Sequence, residues 1–369
     1  MHFINLEAQY RAYQGEIDAA ISKVLASTAF ILGKDVDVLE ASLAEYTGAK
    51  HAISCANGTD ALMLALMAID IKPGDEVITP SFTFIATAEA SAIFGAKPVL
   101  VDIDEQSYNI NPALIAAAIT PKTRAIMPVS LYGQVADMDA INAIALEYSQ
   151  KFGHKIYVIE DAAQSFGAVY KGKKSCNLSD MACTSFFPSK PLGCYGDGGA
   201  LFTNDDELAA KIKALRVHGQ TARYQHSYVG LNSRLDTIQA AVLNVKLKYF
   251  DDELKRRDEL GARYGELLKN LDVVTPVTLP GHSHVYAQYS IRVKDRDAVV
   301  KKLAAAGIPT AVHYPMPIHG QPCFKGLGYV DADFPVSALV SKEILSLPMS
   351  GFLTLGDQEL VVGVLKPVF

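Results

Sequence analysis

The amino-acid sequence predicts an α/β protein, with a mostly parallel seven-stranded sheet between helices and a smaller α+β part at the C-terminal end. Three observations carry this. Seven short apolar runs alternate with helical stretches between residues 50 and 205. Most of these runs lack strict apolar–polar alternation, which is what a strand covered on both faces requires. The length of 369 residues exceeds the size at which one hydrophobic core keeps growing. A large domain over 1–250, with an N-terminal arm, and a small one over 251–369 are therefore expected.

The elements follow in order. HAISCAN (51–57) reads as a strand and TDALMLALMAI (59–69) as a helix. EVITP (76–80) is a strand, TFIATAEASAIFG (83–95) a helix and PVLVDI (98–103) a strand. A helix near 112–119, the strand AIMPVSL (125–131) and a helix near 137–151 come next. KIYVIEDA (155–162), ACTSFF (182–187) and GALFTN (199–204) complete the strands. DDELAAKIKALRVHG is a helix stopped at Gly219. One long helix is expected from about Leu235 to Leu268, its charged middle solvated. The tail then reads strand (VYAQYSIRV), helix (DAVVKKLAAAG) and short apolar pieces.

Half of the residues are hydrophobic, enough for a packed core, and the formal charge is -6. An acidic chain has no global electrostatic reason to bind nucleic acid or an anionic membrane. The five cysteines are odd in number and without CxxC spacing, which argues against a disulfide framework or a zinc site and for a reducing compartment. The start, MHFINLEAQYRAYQ, has no apolar core of a secretory signal, and no apolar run reaches membrane-spanning length uninterrupted. A soluble cytoplasmic protein is expected, with no metal.

Ligands of such sheets sit at the carboxyl ends of the strands, and the chemistry-bearing residues fall there. In VIEDAAQS (158–165), Asp161 and Gln164 follow four apolar residues. A turn with a helix cap is the plain reading; a buried carboxylate that holds a protonated ring nitrogen, as a pyridoxal ring requires, is the functional one. In CTSFFPSKPLGCYGDGGAL (183–201), Lys190 lies between Pro188 and Pro191 in an apolar, glycine-rich setting. A lone lysine is ordinarily a surface residue, but this one is positioned, and desolvation lowers an amine's pKa toward nucleophilic use. In CANGTDAL (55–62), Gly58 permits close approach, Thr59 can cap the new helix, and the helix start can bind phosphate. Ser185 can give the same phosphate a second hydroxyl, and Phe84 can stack on a flat ring or simply pack in the core.

Other motifs lead nowhere. GAVYKGKK (167–174) has a P-loop core followed by Lys174 in place of Ser or Thr. No GxGxxG opens a helix, no HExxH is present, and His282 and His284 read as surface residues.

Jointly, NGTDAL, EDAAQS, SFFPSKPLG and GDGGAL, in this order and spacing, resemble the DegT/DnrJ/EryC1/StrS sugar aminotransferases of fold type I, over nearly the whole chain. The resemblance implies pyridoxal 5'-phosphate, with Lys190 as the Schiff-base lysine, Asp161 on the pyridine nitrogen and Gln164 near the ring hydroxyl. It implies Gly58, Thr59 and Ser185 at the cofactor phosphate, Phe84 on the ring, and Asn232 reaching the phosphate from a second subunit, hence a homodimer with shared sites. The chain has Gly196-Asp197-Gly198-Gly199 where many members read GEGG. Within the family, ISCANGTDAL, VSLYGQ, KSCNLS, LNSRLDT and PTAVHYPMP are similar to the branch that aminates C3 of UDP-2-acetamido-2-deoxy-3-oxo-glucuronic acid. There Arg234 of the partner subunit, His313 and Tyr314 would contact the sugar carboxylate, with L-glutamate as donor and a surface polysaccharide such as O-antigen as destination. Without the resemblance, Arg234 reads as a helix-start salt bridge, and His313-Tyr314 as a strand pair before Pro315. A different keto sugar, another reaction of the same cofactor, and a silent regulatory protein on the same fold are the alternatives.

Overall fold

The computed structural model describes residues 1–366. Its main sheet contains β1 (His51–Cys55), β2 (Glu76–Pro80), β3 (Lys97–Val101), β4 (Thr123–Ile126) and β5 (Tyr157–Asp161). After a small hairpin of β6 (Val169–Tyr170) and β7 (Lys173–Lys174) come β8 (Met181–Ser185) and β9 (Gly199–Thr203). The order is β1-β9-β8-β5-β4-β2-β3. Only β9 runs against its neighbours, pairing antiparallel with β1 and β8. Each of the seven expected strands overlaps one of the seven observed; β2 matches in full, and the others shift or shorten at their ends, β4 most, sharing only Ala125 and Ile126 with the expected run.

Helices cover both faces. On one face α3 (Gly58–Ala68), α4 (Ala86–Ala92) and α7 (Asp206–Leu215) bury Leu62, Leu66, Ala90 and Ile212 against Ile53, Val77 and Leu201. On the other, α2 (Lys34–Thr47) and α8 (Thr237–Leu247) pack Leu39, Leu43 and Leu243 around Phe166, Phe186 and Phe202. There α5 (Pro112–Ala118) and α6 (Met138–Phe152) close the β3–β4 end through Ile115 and Ile141. Sandwiching between two helical layers explains the unbroken apolar runs. Past the short ribbon of β10 (Gln220–Ala222) and β11 (Gln225–His226), a second core forms. It joins α9 (Phe250–Leu268), α10 (Arg296–Ala305) and α12 (Leu355–Leu365) to the antiparallel pair β12 (Tyr289–Arg292) and β13 (Ile344–Leu347), while α11 (Pro335–Glu343) leads into β13.

Several expectations are corrected. The N-terminal arm contains a 22-residue helix, α1 (Leu6–Ser27), which packs along α8. The long helix is two, α8 and α9, divided at Lys248-Tyr249. Its charged middle is not simply solvated, for Lys246, Glu253 and Arg257 are buried. Glu253 accepts from Gln9 Nε2 at 2.9 Å, Arg257 donates to the Tyr286 carbonyl at 2.9 Å, and Lys246 Nζ donates to the Gly193 carbonyl at 2.7 Å. Charges can enter a core when each meets a polar partner. His284 is also inside, 6% exposed, stacked on Tyr286 and accepting from the Tyr286 N–H at 3.0 Å. Burial pushes its pKa down to about 3. His282 is only half-buried, with its ring edge-on to Tyr170.

Candidate active site

The carboxyl ends of β1, β2, β5 and β8 open into a cavity of about 690 Å³, which is a usual size for a small-molecule site. Gly58, Thr59, Phe84, Asp161, Gln164, Ser185, Lys190, His313 and Tyr314 all line it.

The helix start comes first. The N-cap of α3 is Asn57, whose side chain accepts from the Asp60 N–H at 2.8 Å; Thr59 sits inside the first turn and is not the cap. An Asx residue outranks a threonine there and leaves the Thr59 hydroxyl unengaged. Among the described residues the amides of Gly58 and Thr59 have no acceptor. A Cβ on Gly58 would lie 2.7 Å from Ser185 Cβ, so only glycine brings these hydroxyls and amides together. Such a cradle suits a phosphate dianion.

Lys190 follows in the loop after β8. Its backbone N–H donates to the Phe187 carbonyl at 2.8 Å, and the turn closes at Gly193, where a Cβ would meet the Pro188 carbonyl at 2.5 Å. Burial lowers the pKa of the Lys190 amine, and the Asp161 charge opposes that shift. Asp161 ends β5, 6% exposed, and accepts from Thr87 Oγ1 at 2.8 Å and from the Ala163 N–H at 3.1 Å. Burial raises its pKa despite these hydrogen bonds and the neighbouring Lys190. A cationic ring nitrogen beside this carboxylate offsets the cost of its burial.

Gln164 is held at both ends. Its Oε1 accepts from the Tyr132 N–H at 2.7 Å, and its Nε2 donates to the Tyr314 hydroxyl at 3.1 Å. The Tyr132 hydroxyl in turn donates to the His313 carbonyl. His313 Nδ1 pairs with Ser346 Oγ at 2.9 Å; burial, then the Lys190 charge, push its pKa down to about 4. Phe84 is 53% exposed on the cavity wall, its ring 5.9 Å from that of Tyr314. An apolar ring left open beside a buried carboxylate and a lysine fits a flat heteroaromatic cofactor, and the residues present therefore match pyridoxal phosphate.

Two expected residues lie elsewhere in the single chain. Asn232 is exposed, and Arg234 lines a separate recess with Ile31, Leu32, His218 and Arg223. The Nε of Arg234 is buried without an acceptor among the described residues. Motif reading missed Asn57, Thr87, Asp197 and Gln288, all of which belong to the site. Asn57 had a signal, an Asx directly before the helix start. Asp197 of the GDGG loop lines the cavity's exposed rim. Thr87, which donates to Asp161, and Gln288, on the cavity wall, carried no signal, because only folding brings them there. Among the described residues no group of His, Cys, Asp or Glu is arranged to hold a metal ion.

Fold and site together define a pyridoxal-phosphate-dependent transferase, with its lysine on the loop between the last two strands of the sheet. Residues 12–366 match the DegT/DnrJ/EryC1/StrS aminotransferase family, and the chain belongs to it. The UDP-2-acetamido-2-deoxy-3-oxo-D-glucuronate aminotransferase of Pseudomonas aeruginosa is 53% identical over 365 residues, 99% of each chain. The UDP-N-acetyl-3-dehydro-alpha-D-glucosamine 3-aminotransferase of Acidithiobacillus ferrooxidans is 45% identical over 346 residues, 94% of this chain and 92% of that one. Among solved structures, Streptomyces venezuelae DesV in complex with a ketimine intermediate superposes with a TM-score of 0.96 at 40% identity, covering 100% of this chain and 98% of that one. The protein is an aminotransferase of nucleotide-linked sugars that uses pyridoxal phosphate.

Proposed function

We propose that the protein transfers an amino group from L-glutamate to C3 of a UDP-linked 2-acetamido-3-keto uronic acid, as a homodimer with shared active sites. One observation carries the reading: His313 and Tyr314 enter the cavity of Lys190, so donors for a sugar carboxylate stand beside the reacting amine. The relative from P. aeruginosa is named for a 3-oxo-glucuronate substrate, which supports the same choice.

When bound, the cofactor supplies an electron sink for the carbanion formed at the amine-bearing carbon. The chain does the rest. Lys190, whose burial favours the free amine, takes the proton from that carbon and returns it on the other side of the nitrogen. Asp161 keeps the proton on the ring nitrogen. Gln164, clamped by Tyr132 and Tyr314, would face the ring hydroxyl. Gly58, Thr59 and Ser185 would hold the phosphate, with Asn232 of the partner subunit, and Phe84 would cover the ring face.

Arg234 of the partner subunit would pair bidentately with the sugar carboxylate, aided by His313 and Tyr314. Phe30, Ile31, Leu32 and Val229 are exposed large apolar side chains, and Ile31 and Leu32 border the recess of Arg234, as a subunit contact needs. No helix among the described residues is long and apolar enough to cross a membrane, and a cytoplasmic enzyme feeding O-antigen synthesis is consistent with that.

Incubating the yellow holoenzyme with candidate nucleotide keto sugars and L-glutamate tests the reading. Arg234→Ala should lower kcat/KM on the keto uronic acid roughly 100-fold, the worth of a charged bidentate pair, and spare neutral sugars. Unchanged turnover of the uronic acid would exclude the carboxylate role. Borohydride reduction and peptide mapping should find the cofactor on Lys190.

A further inference from the structure

Three side chains from the C-terminal part of the chain line the cavity: Gln288, His313 and Tyr314. Two of them are engaged by the protein, His313 with Ser346 and Tyr314 with Gln164. Gln288 is not. It directly precedes β12, whose four residues are all buried, and it is itself only 8% exposed. Its amide oxygen is buried with no donor, and its side chain makes no hydrogen bond among the described residues.

A buried amide without a partner is rare in native proteins and costs stability, so a partner arriving from outside the chain is the physical expectation. The cofactor's needs are already met from the sheet edge, by Asp161, Ser185 and the start of α3. The carboxylates of an amino donor only accept hydrogen bonds, so they leave the orphaned amide oxygen unmet. What remains is a neutral polar group on the second substrate. We propose that Gln288 reads the sugar, hydrogen-bonding through its amide to a hydroxyl or acetamido group of the nucleotide-linked ring. This rests on the sugar aminotransferase reading of the same cavity.

The test uses the holoenzyme and two amines that both convert the cofactor from its aldehyde to its amine form. One is L-glutamate; the other is UDP-2-acetamido-3-amino-2,3-dideoxyglucuronic acid, the product run in reverse. Loss of the visible absorbance reports kcat/KM for each half-reaction. Gln288→Ala and the nearly isosteric Gln288→Met should each lower the value for the amino sugar ~10-fold more than that for glutamate, the worth of one neutral hydrogen bond. Equal losses on both amines, or none, would overturn the proposal. So would a Gln288→Met protein that no longer folds or holds cofactor, since the amide would then be structural. If the unaltered enzyme fails to convert the amino sugar, the functional reading falls and takes this inference with it. If it succeeds while the variants keep the original ratio, only the role of Gln288 falls.

Discussion

His284 should make the protein acid-sensitive well above the range in which carboxylates titrate. Its ring stacks on that of Tyr286, with centroids 4.1 Å apart and no charged partner among the described residues, so burial alone holds it neutral. The folded pKa is about 3 against an ordinary 6.5. Below pH 6.5 the unfolded chain therefore binds a proton that the folded chain refuses, and stability falls as the pH falls. The loss is about 1.4 kcal/mol per pH unit, or about 2 kcal/mol by roughly pH 5. His284→Asn isolates the effect, because the Asn oxygen can accept from the Tyr286 N–H in place of Nδ1 without titrating. Urea unfolding of the holoenzyme at one protein concentration, at about pH 7.5 and about pH 5, measures both proteins. The variant should begin less stable, having lost packing. The gap to the unaltered protein should close by about 2 kcal/mol across the window. His313 titrates in both proteins and cancels. A gap that stays constant would refute a buried, neutral His284.

Two further outcomes test the cofactor site. Asp161→Asn should keep stability within about 1 kcal/mol, since the amide can still accept from the Ala163 N–H while the Thr87 hydroxyl turns to receive its NH2. Turnover should nevertheless drop by about 100-fold or more, because a neutral amide cannot hold a proton on the ring nitrogen; near-normal kcat would exclude the assigned role. Gly58→Ala places a methyl 2.7 Å from Ser185 Cβ, an overpacking strain of about 1–3 kcal/mol. Cofactor affinity, followed by equilibrium dialysis, should weaken about 10-fold, and an unchanged Kd would remove the close approach from the account.

Much of the architecture was legible because its signals are local. β2 spans EVITP as read, and the other six strands differ from expectation mainly at their ends. Cofactor candidates were legible for the same reason: Asp161, Ser185 and Gly58 stand where a strand meets a turn, and Lys190 lies between two prolines. The cap was misplaced by two residues, since Asn57 and Thr59 can both begin a helix and only the backbone angles distinguish them. The charged stretch around α8 and α9 misled because a charge run does not say which of its members face inward. Lys246 is buried because the Gly193 carbonyl awaits it, more than fifty positions away in sequence.

By itself, the sequence determined the class of fold and the family and singled out Lys190 as a candidate, because hydrophobic period, turn residues and motif spacing are properties of neighbouring positions. Tertiary structure alone decided which distant side chains meet at the site: Thr87 behind Asp161, Tyr132 behind Gln164, and Gln288 with His313 and Tyr314 in the cavity of Lys190. It also decided that His284 is inside and that Arg234 lies apart from Lys190 within one chain. The physical reason is that burial and unmet hydrogen bonds depend on what packs across a gap, and no local pattern along the chain records the far side of that gap.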